Sequence, residues 1–144
     1  MATKTVKEKL TTYLKTVPLF SSCSRKELST IAEIVKEVDF DTGDVICAEG
    51  EIGVGLHIVV SGETKVQVGG RTRRKLGPGA FFGEIALLDG GPRSATVIAE
   101  TPGHTISIPA WTFTSLLKAQ PALAVKMLEE TCRRIRSSEA SLTA

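Results

Sequence analysis

Residues 77–96 read Gly77-Pro-Gly-Ala-Phe-Phe-Gly-Glu-Ile-Ala-Leu-Leu-Asp-Gly-Gly-Pro-Arg-Ser-Ala-Thr96, and this stretch interrupts an otherwise strand-like pattern. Its centre, EIALLD at 84–89, consists of good helix formers lodged between Gly83 and the Gly90-Gly91-Pro92 stop. A helix this short is marginal alone, because nucleation costs more than so few bonds return. Something outside it must hold it in place. Its first N–H groups, from Gly83 to Ala86, lack intrahelical acceptors, and free amides at a helix start attract anions. Gly83 lets a ligand come close to the backbone. Arg93 adds a fork of donors suited to a phosphate diester, and Ser94 adds a hydroxyl and an amide. Glu84 is the odd member, a carboxylate beside an anion site, and fits there as an acceptor for sugar hydroxyls. These residue types leave one alternative open: a surface turn in which Arg93 and Glu84 form a structural ion pair.

Around this stretch the chain is punctuated by glycine. Gly43, Gly50, Gly53, Gly55, Gly62, Gly69 and Gly70 bound short runs with strand character. Leu56, Ile58 and Val60 share one strand face, and Thr64, Val66 and Val68 share the next. Gly69-Gly70 predicts a hairpin turn, since both positions tolerate positive φ. Arg71-Thr-Arg-Arg-Lys75 then reads as a solvated hairpin strand rather than a nucleic-acid patch, a charged edge that blocks aggregation. Further strands are expected at 94–100 and 104–108. His57 and His104 fall in strands and are read as structural or surface residues.

Both ends are helical in pattern. Val6, Leu10, Tyr13, Leu14 and Val17 recur at helical spacing over 4–17, and Pro18 stops that helix. Ser24 and Glu27 predict a capping box, followed by a buried face of Leu28, Ile31, Ile34, Val35 and Val38. After the strands, a short helix from Ala110 runs towards Pro121. A longer one over 121–142 places Ala124, Leu128, Cys132, Ile135 and Leu142 along one stripe. Its wet face offers Glu129–Arg133 and Glu130–Arg134 as i,i+4 pairs. Helices, clustered strands, then helices point to an α+β fold with a sandwich or barrel.

Composition narrows the function classes. The 144 residues are 42% hydrophobic and 24% charged with a formal charge of +2, which fits one globular domain without a strong pull towards nucleic acid or acidic membranes. Aromatics at 5% argue against a base-stacking platform for single strands. Apolar runs fall far short of a membrane span. The N-terminal MATKTVKEKL lacks the apolar core of a signal peptide, so the mature chain is expected to start there and to be cytoplasmic. Cys23, Cys47 and Cys132 are odd in number and form no C-x-x-C pair, which suggests reduced thiols and no zinc site. Neither a nucleophile–base pair nor a metal cluster stands at recognisable spacing, so an enzyme is not expected.

The full string F-G-E-I-A-L-L-D-G-G-P-R-S-A-T, residues 82–96, resembles the phosphate-binding cassette of cyclic nucleotide-binding domains. That family includes catabolite activator protein, protein kinase A regulatory subunits and cyclic-nucleotide-gated channels. V-I-C-A-E-G-E-I-G and V-V-S-G-E-T-K-V look like strands of its β-roll. The resemblance covers nearly the whole chain. It implies one domain, with N-terminal helices at 1–37, an antiparallel, jelly-roll-like β-roll at 38–109 and C-terminal lid helices at 110–144.

It also implies roles. Glu84 would accept from the ribose 2′-hydroxyl, with the Gly83 amide nearby. The amides of Ile85 and Ala86 would cap the cyclic phosphate, Arg93 would neutralise it, and Ser94 with the Ala95 amide would complete the cradle. Phe82 would pack the cassette on the β-roll, with Val66 and Ile58 as apolar neighbours of the sugar or base. The last helix would cover the purine, through Arg133, Arg134 or Ile135. Cyclic AMP is expected ahead of cyclic GMP, although Ser94 stands where cyclic GMP-selective members often carry Thr or Ser; no metal or further cofactor is expected. The roughly 35 residues after the β-roll leave no sequence for a helix-turn-helix reader, a pore or a kinase. The expectation is therefore a sensor without direct DNA binding or membrane attachment, relaying occupancy through its last helix to a separate effector protein. The alternative class is a degenerate β-roll serving as a ligand-free protein-interaction domain.

Overall fold

The computed structural model describes residues 2–52 and 55–138, without the side chains of residues 2–7, 85 and 138. It divides into two compact units, one of residues 34–114 and one of residues 1–33 with 115–144.

The first unit holds the strands. These are β1 (Lys36–Phe40), β2 (Val45–Cys47), β3 (Leu56–Ser61), β4 (Thr64–Val68), β5 (Arg71–Leu76), β6 (Phe81–Phe82), β7 (Thr96–Ala99) and β8 (Gly103–Ile108). Among the described residues they form two antiparallel four-stranded sheets, in the orders β1-β8-β3-β6 and β2-β7-β4-β5. The expected antiparallel, jelly-roll-like β-roll is present, built from two sheets that are not closed into one barrel. Cys47, Val59, Val66, Leu76, Phe82 and Val97 come from both sheets and form one buried cluster. Burying each of the larger side chains contributes about 1.5–3 kcal/mol.

Strand position explains which patterns were clean. In β4 the alternation holds, with Thr64 and Val66 buried and Lys65 and Gln67 half-buried. β3 lies between β8 and β6, and Leu56, His57, Ile58 and Val59 are all buried. Such an inner strand needs apolar side chains on both faces, so alternation is lost. The hairpin at Gly69-Gly70 is present: φ is +58° and +79°, and Val68 pairs with Arg71 across the turn.

The second unit is helical. It contains α1 (Ala2–Lys15), a 3-10 turn at Pro18–Phe20 and α2 (Arg25–Ala32). The short cassette helix α3 (Glu84–Asp89) belongs to the strand unit. α4 (Ala110–Ala119) starts at the end of that unit, and α5 (Pro121–Ser138) follows. The predicted capping box opens α2: Ser24 Oγ accepts the Glu27 amide at 3.1 Å, and Glu27 Oε1 accepts the Ser24 amide at 2.8 Å. Lys126 of α5 donates to the same Glu27 oxygen at 2.6 Å and, with the Ser24 amide, holds the carboxyl below its usual value. Cys23 is buried here, and burial, aided by Glu27, pushes its thiol up to about 11.

Three helical expectations need correction. α2 ends at Ala32, and Val38, expected on its buried face, belongs to β1, where it pairs with Thr105. The segment from Ile34 is rich in β-branched residues, and ladder pairing with β8 overrides the continuing helical period. In α5 the buried face is Leu123 and Met127, while Leu128, Cys132 and Ile135 are exposed, Ala124 is half-buried and Leu142 lies outside the described residues. The helix carries two neighbouring apolar stripes, about 100° apart around its axis, and composition alone does not choose between them. Arg133 reaches Glu130 at 3.3 Å, an i,i+3 contact in place of the expected i,i+4 pair with Glu129.

Candidate functional site

The cassette folds as its punctuation dictates. Gly83 caps the start of α3 at φ +86° and Gly90 caps its end at φ +66°, a conformation that costs a residue with a Cβ about 1–2 kcal/mol. The Leu87 amide donates to the Gly83 carbonyl at 3.0 Å and the Gly90 amide to the Ala86 carbonyl at 2.9 Å. Asp89 Oδ1 accepts the Gly91 amide at 2.7 Å and shapes the exit turn.

Arg93 is fixed by its backbone. Its amide donates to the Glu51 carbonyl at 2.9 Å, and its carbonyl accepts the Gly50 amide at 2.8 Å, which clips it to the β2–β3 loop. The side chain is only 7% exposed. Its Nη2 donates to the Gly55 carbonyl, while Nε has no hydrogen-bond partner among the described residues. Burial pushes the guanidinium below its ordinary value, opposed by Cys47 and Glu51. A Cβ on Gly83 would collide with this guanidinium, so the glycine is required twice over, by its φ and by the arginine against it. Glu84, 8% exposed, is buried on the same side. Both groups are interior, which removes the reading of the segment as a surface turn.

These residues line a cavity of about 650 Å³ within the strand unit. Of the sequence-predicted site residues, Val66, Phe82, Gly83, Glu84, Ala86, Arg93, Ser94 and Ala95 all stand in its wall. Ile85 is the second residue of α3, and its side chain lies outside the described residues. Ile58 is not in the wall, a correction with a simple cause: in β3 it is Val59 that joins the cluster with Phe82 and Val66, and Ile58 points the other way. Cys47, Val68, Arg74 and Asp89 are wall residues that sequence reasoning did not single out. Burial raises the Cys47 thiol above its usual value, with the Arg93 charge working against that shift.

Behind the cassette stands His57. Its ring stacks on Phe82, with centroids 5.1 Å apart and planes 11° apart, and its Nδ1 lies 3.0 Å from Thr105 Oγ1. Burial, and then the charge of Arg93, lower its pKa to about 4. A neutral imidazole therefore braces the phenylalanine that supports the cassette.

The arrangement suits a small anion with hydroxyl groups. A buried arginine without an ion pair among the described residues is costly, and a phosphate would supply the missing charge. Among the described residues, His, Cys, Asp and Glu form no cluster of three or more that could hold a metal. No helix among them is long and apolar enough to cross a membrane.

Comparison with known proteins agrees with this geometry. The cyclic nucleotide-binding domain model matches residues 37–120, and the chain belongs to that family. It is 37% identical over 125 residues to a cyclic nucleotide-gated potassium channel of Mesorhizobium japonicum, which covers 87% of this chain and 34% of the channel. It is 29% identical to the cyclic AMP receptor protein of Thermus thermophilus, covering 90% of this chain and 62% of that protein. The crystal structure of the N-terminal domain of a transcriptional regulator from Streptomyces coelicolor matches with a TM-score of 0.81 at 26% identity, over 92% of this chain and 96% of that one. The chain thus spans about a third of the channel and about three fifths of the receptor protein.

Proposed function

We propose that this chain senses a 3′,5′-cyclic purine nucleotide and relays its occupancy through α5 to a separate effector protein. The observation that carries the reading is Arg93, a buried guanidinium with an unused Nε beside the glycine-capped start of α3, in a cavity of about 650 Å³. Arg93 neutralises the cyclic phosphate, and the amides of Ile85 and Ala86, the Ser94 hydroxyl and the Ala95 amide complete its cradle. Glu84 accepts from the ribose 2′-hydroxyl beside the Gly83 amide. Phe82 backs the cassette, and Val66 meets the sugar or base. The cassette groups face phosphate and ribose only, so they support cyclic AMP and cyclic GMP alike. Capture would bias a two-state equilibrium of the cassette, the kind of element a relay requires. Calorimetry on refolded, nucleotide-free protein tests the reading: heat is expected with cyclic nucleotide. Silence with both cyclic AMP and cyclic GMP would sink it in favour of a ligand-free interaction domain.

A further inference from the structure

Each sheet has two outer strands, and they are not alike. One sheet ends in β1 and β6, the other in β2 and β5. β2 and β6 are three and two residues long and offer few backbone groups to a partner. β1 and β5 are five and six residues long, and both are exposed, over residues 36–39 and 71–75. Their charges are opposite. β1 and the turn after it carry Glu37, Asp39, Asp41 and Asp44 against Lys36, whereas β5 carries Arg71, Arg73, Arg74 and Lys75 with no acid. Some of these groups are engaged within the chain: Asp41 and Asp44 accept amides of their own turn, and Lys75 lies 3.5 Å from Glu100. Glu37, Asp39, Arg71, Arg73 and Arg74 have no ion pair or side-chain hydrogen bond among the described residues. The row on β5 is also irregular. Regular pairing outward from Val68 and Arg71 would set Val66 opposite Arg73. Instead Gln67 pairs with Thr72 and Val66 with Arg74, so Arg73 is an extra residue, a bulge left out of the ladder with β4. The shift places Arg74 in the cavity wall with Val66, whereas Arg73 is not a wall residue.

Charged rows on edge strands normally prevent one copy of a protein from adding to another. Here that protection is selective. β5 against β5, or β1 against β1, sets like charges face to face, whereas β5 of one copy against β1 of another sets arginines against carboxylates. We propose that these edges form a self-association site, in which the acidic β1 edge of one copy docks on the basic β5 edge of a second copy. Because the two patches differ, the contact is heterologous and either continues head to tail or closes into a ring. The bulge at Arg73 interrupts a regular ladder, so ion pairs carry the contact, and each is weak at a surface. The association is therefore weak and falls with salt.

Sedimentation velocity without nucleotide tests this across about 10–500 µM protein, at about 50 mM and about 500 mM NaCl. At low salt the mean mass of wild type is expected to rise with concentration above that of one chain, and at high salt to stay near it. Arg71→Gln/Arg73→Gln and Glu37→Gln/Asp39→Asn, each checked for fold by circular dichroism, should weaken association at least about tenfold. Arg74 is left unchanged in both because it lines the cavity. An equimolar mixture of the two variants decides the geometry. The first keeps its acidic β1 and the second its basic β5, so a two-chain species returns. Wild type that remains monomeric at low salt overturns the inference, as does association that both variants retain, or a mixture that stays monomeric. None of these outcomes bears on the sensor, which calorimetry tests separately.

Discussion

The cavity has a cassette wall and a hairpin wall, and they are made differently. On the cassette wall, Arg93 and Glu84 are buried at 7% and 8% exposure, and two backbone hydrogen bonds plus a collision-tight glycine fix the arginine. On the hairpin wall, Arg74 is an exposed side chain on an edge strand, aimed by a bulge and held by no ion pair among the described residues. The first wall is buried, so each hydrogen bond there is worth more and each change costs more. The second is exposed and adjustable. Under the proposed function, capture of the phosphate and ribose common to all cyclic nucleotides belongs to the rigid wall.

Substitutions on each side can break or sharpen that contrast. The largest effect is expected from Arg93→Ala, which removes charge-assisted bonds to phosphate and should weaken nucleotide binding by about 100-fold or more. An unchanged dissociation constant by calorimetry would place the phosphate elsewhere and erase the distinction between the walls. Gly83→Ala comes next, because a positive φ and a steric collision combine. The expected loss is about 3–4 kcal/mol in urea unfolding, and a loss below about 1 kcal/mol would mean that the wall yields easily.

The third effect depends on pH. His57 has its pKa lowered from 6.5 to about 4 in the folded protein, by burial and by Arg93. As pH falls from 6.5 the unfolded chain takes up this proton first. The stability tied to the neutral ring is therefore complete above pH 6.5 and lost progressively towards pH 4, by about 3 kcal/mol at most. Unfolding curves across this range should show the loss in wild type and a smaller one in His57→Gln. An imidazole that titrates near 6.5 by NMR would contradict the rigid wall. The smallest effect is Gly70→Ala on the hairpin, where φ is +79° but nothing stands within 4 Å of an added Cβ. Its cost should be backbone strain alone, about 1 kcal/mol by thermal unfolding. A cost equal to that of Gly83→Ala would remove the contrast.

The two walls also differ in how far they could be read from sequence. The cassette was legible because its geometry is local: Gly83, Gly90 and Pro92 punctuate six helix formers, and Arg93 follows at a fixed distance in the chain. The hairpin turn was legible for the same reason, since Gly69 and Gly70 supply its conformation. The bulge was not. Nothing in Arg71-Thr-Arg-Arg-Lys75 marks Arg73 as the extra residue; that is settled by packing of Leu76 and Val66 into the core. Counting evenly from the turn would have selected Arg73. The end of α2 and the buried face of α5 were misread through the same limitation, because a second apolar stripe or a strand partner distant in sequence competes with the local period. Cys47 reads from the sequence only as a reduced thiol, because only the meeting of the two sheets places it in the cavity.

The adjacency of Arg73 and Arg74 has a consequence for how this wall tolerates error. A one-residue slip ordinarily turns a strand inside out and replaces the chemistry on its inner face. In β5 the bulged register shows Arg74 to the cavity, and the regular register would show Arg73. Either way a guanidinium stands opposite Val66. A deletion in the hairpin, or a spontaneous shift between the two registers, would exchange one arginine for its twin, so the wall's charge is insured against the commonest mistake a short hairpin can make.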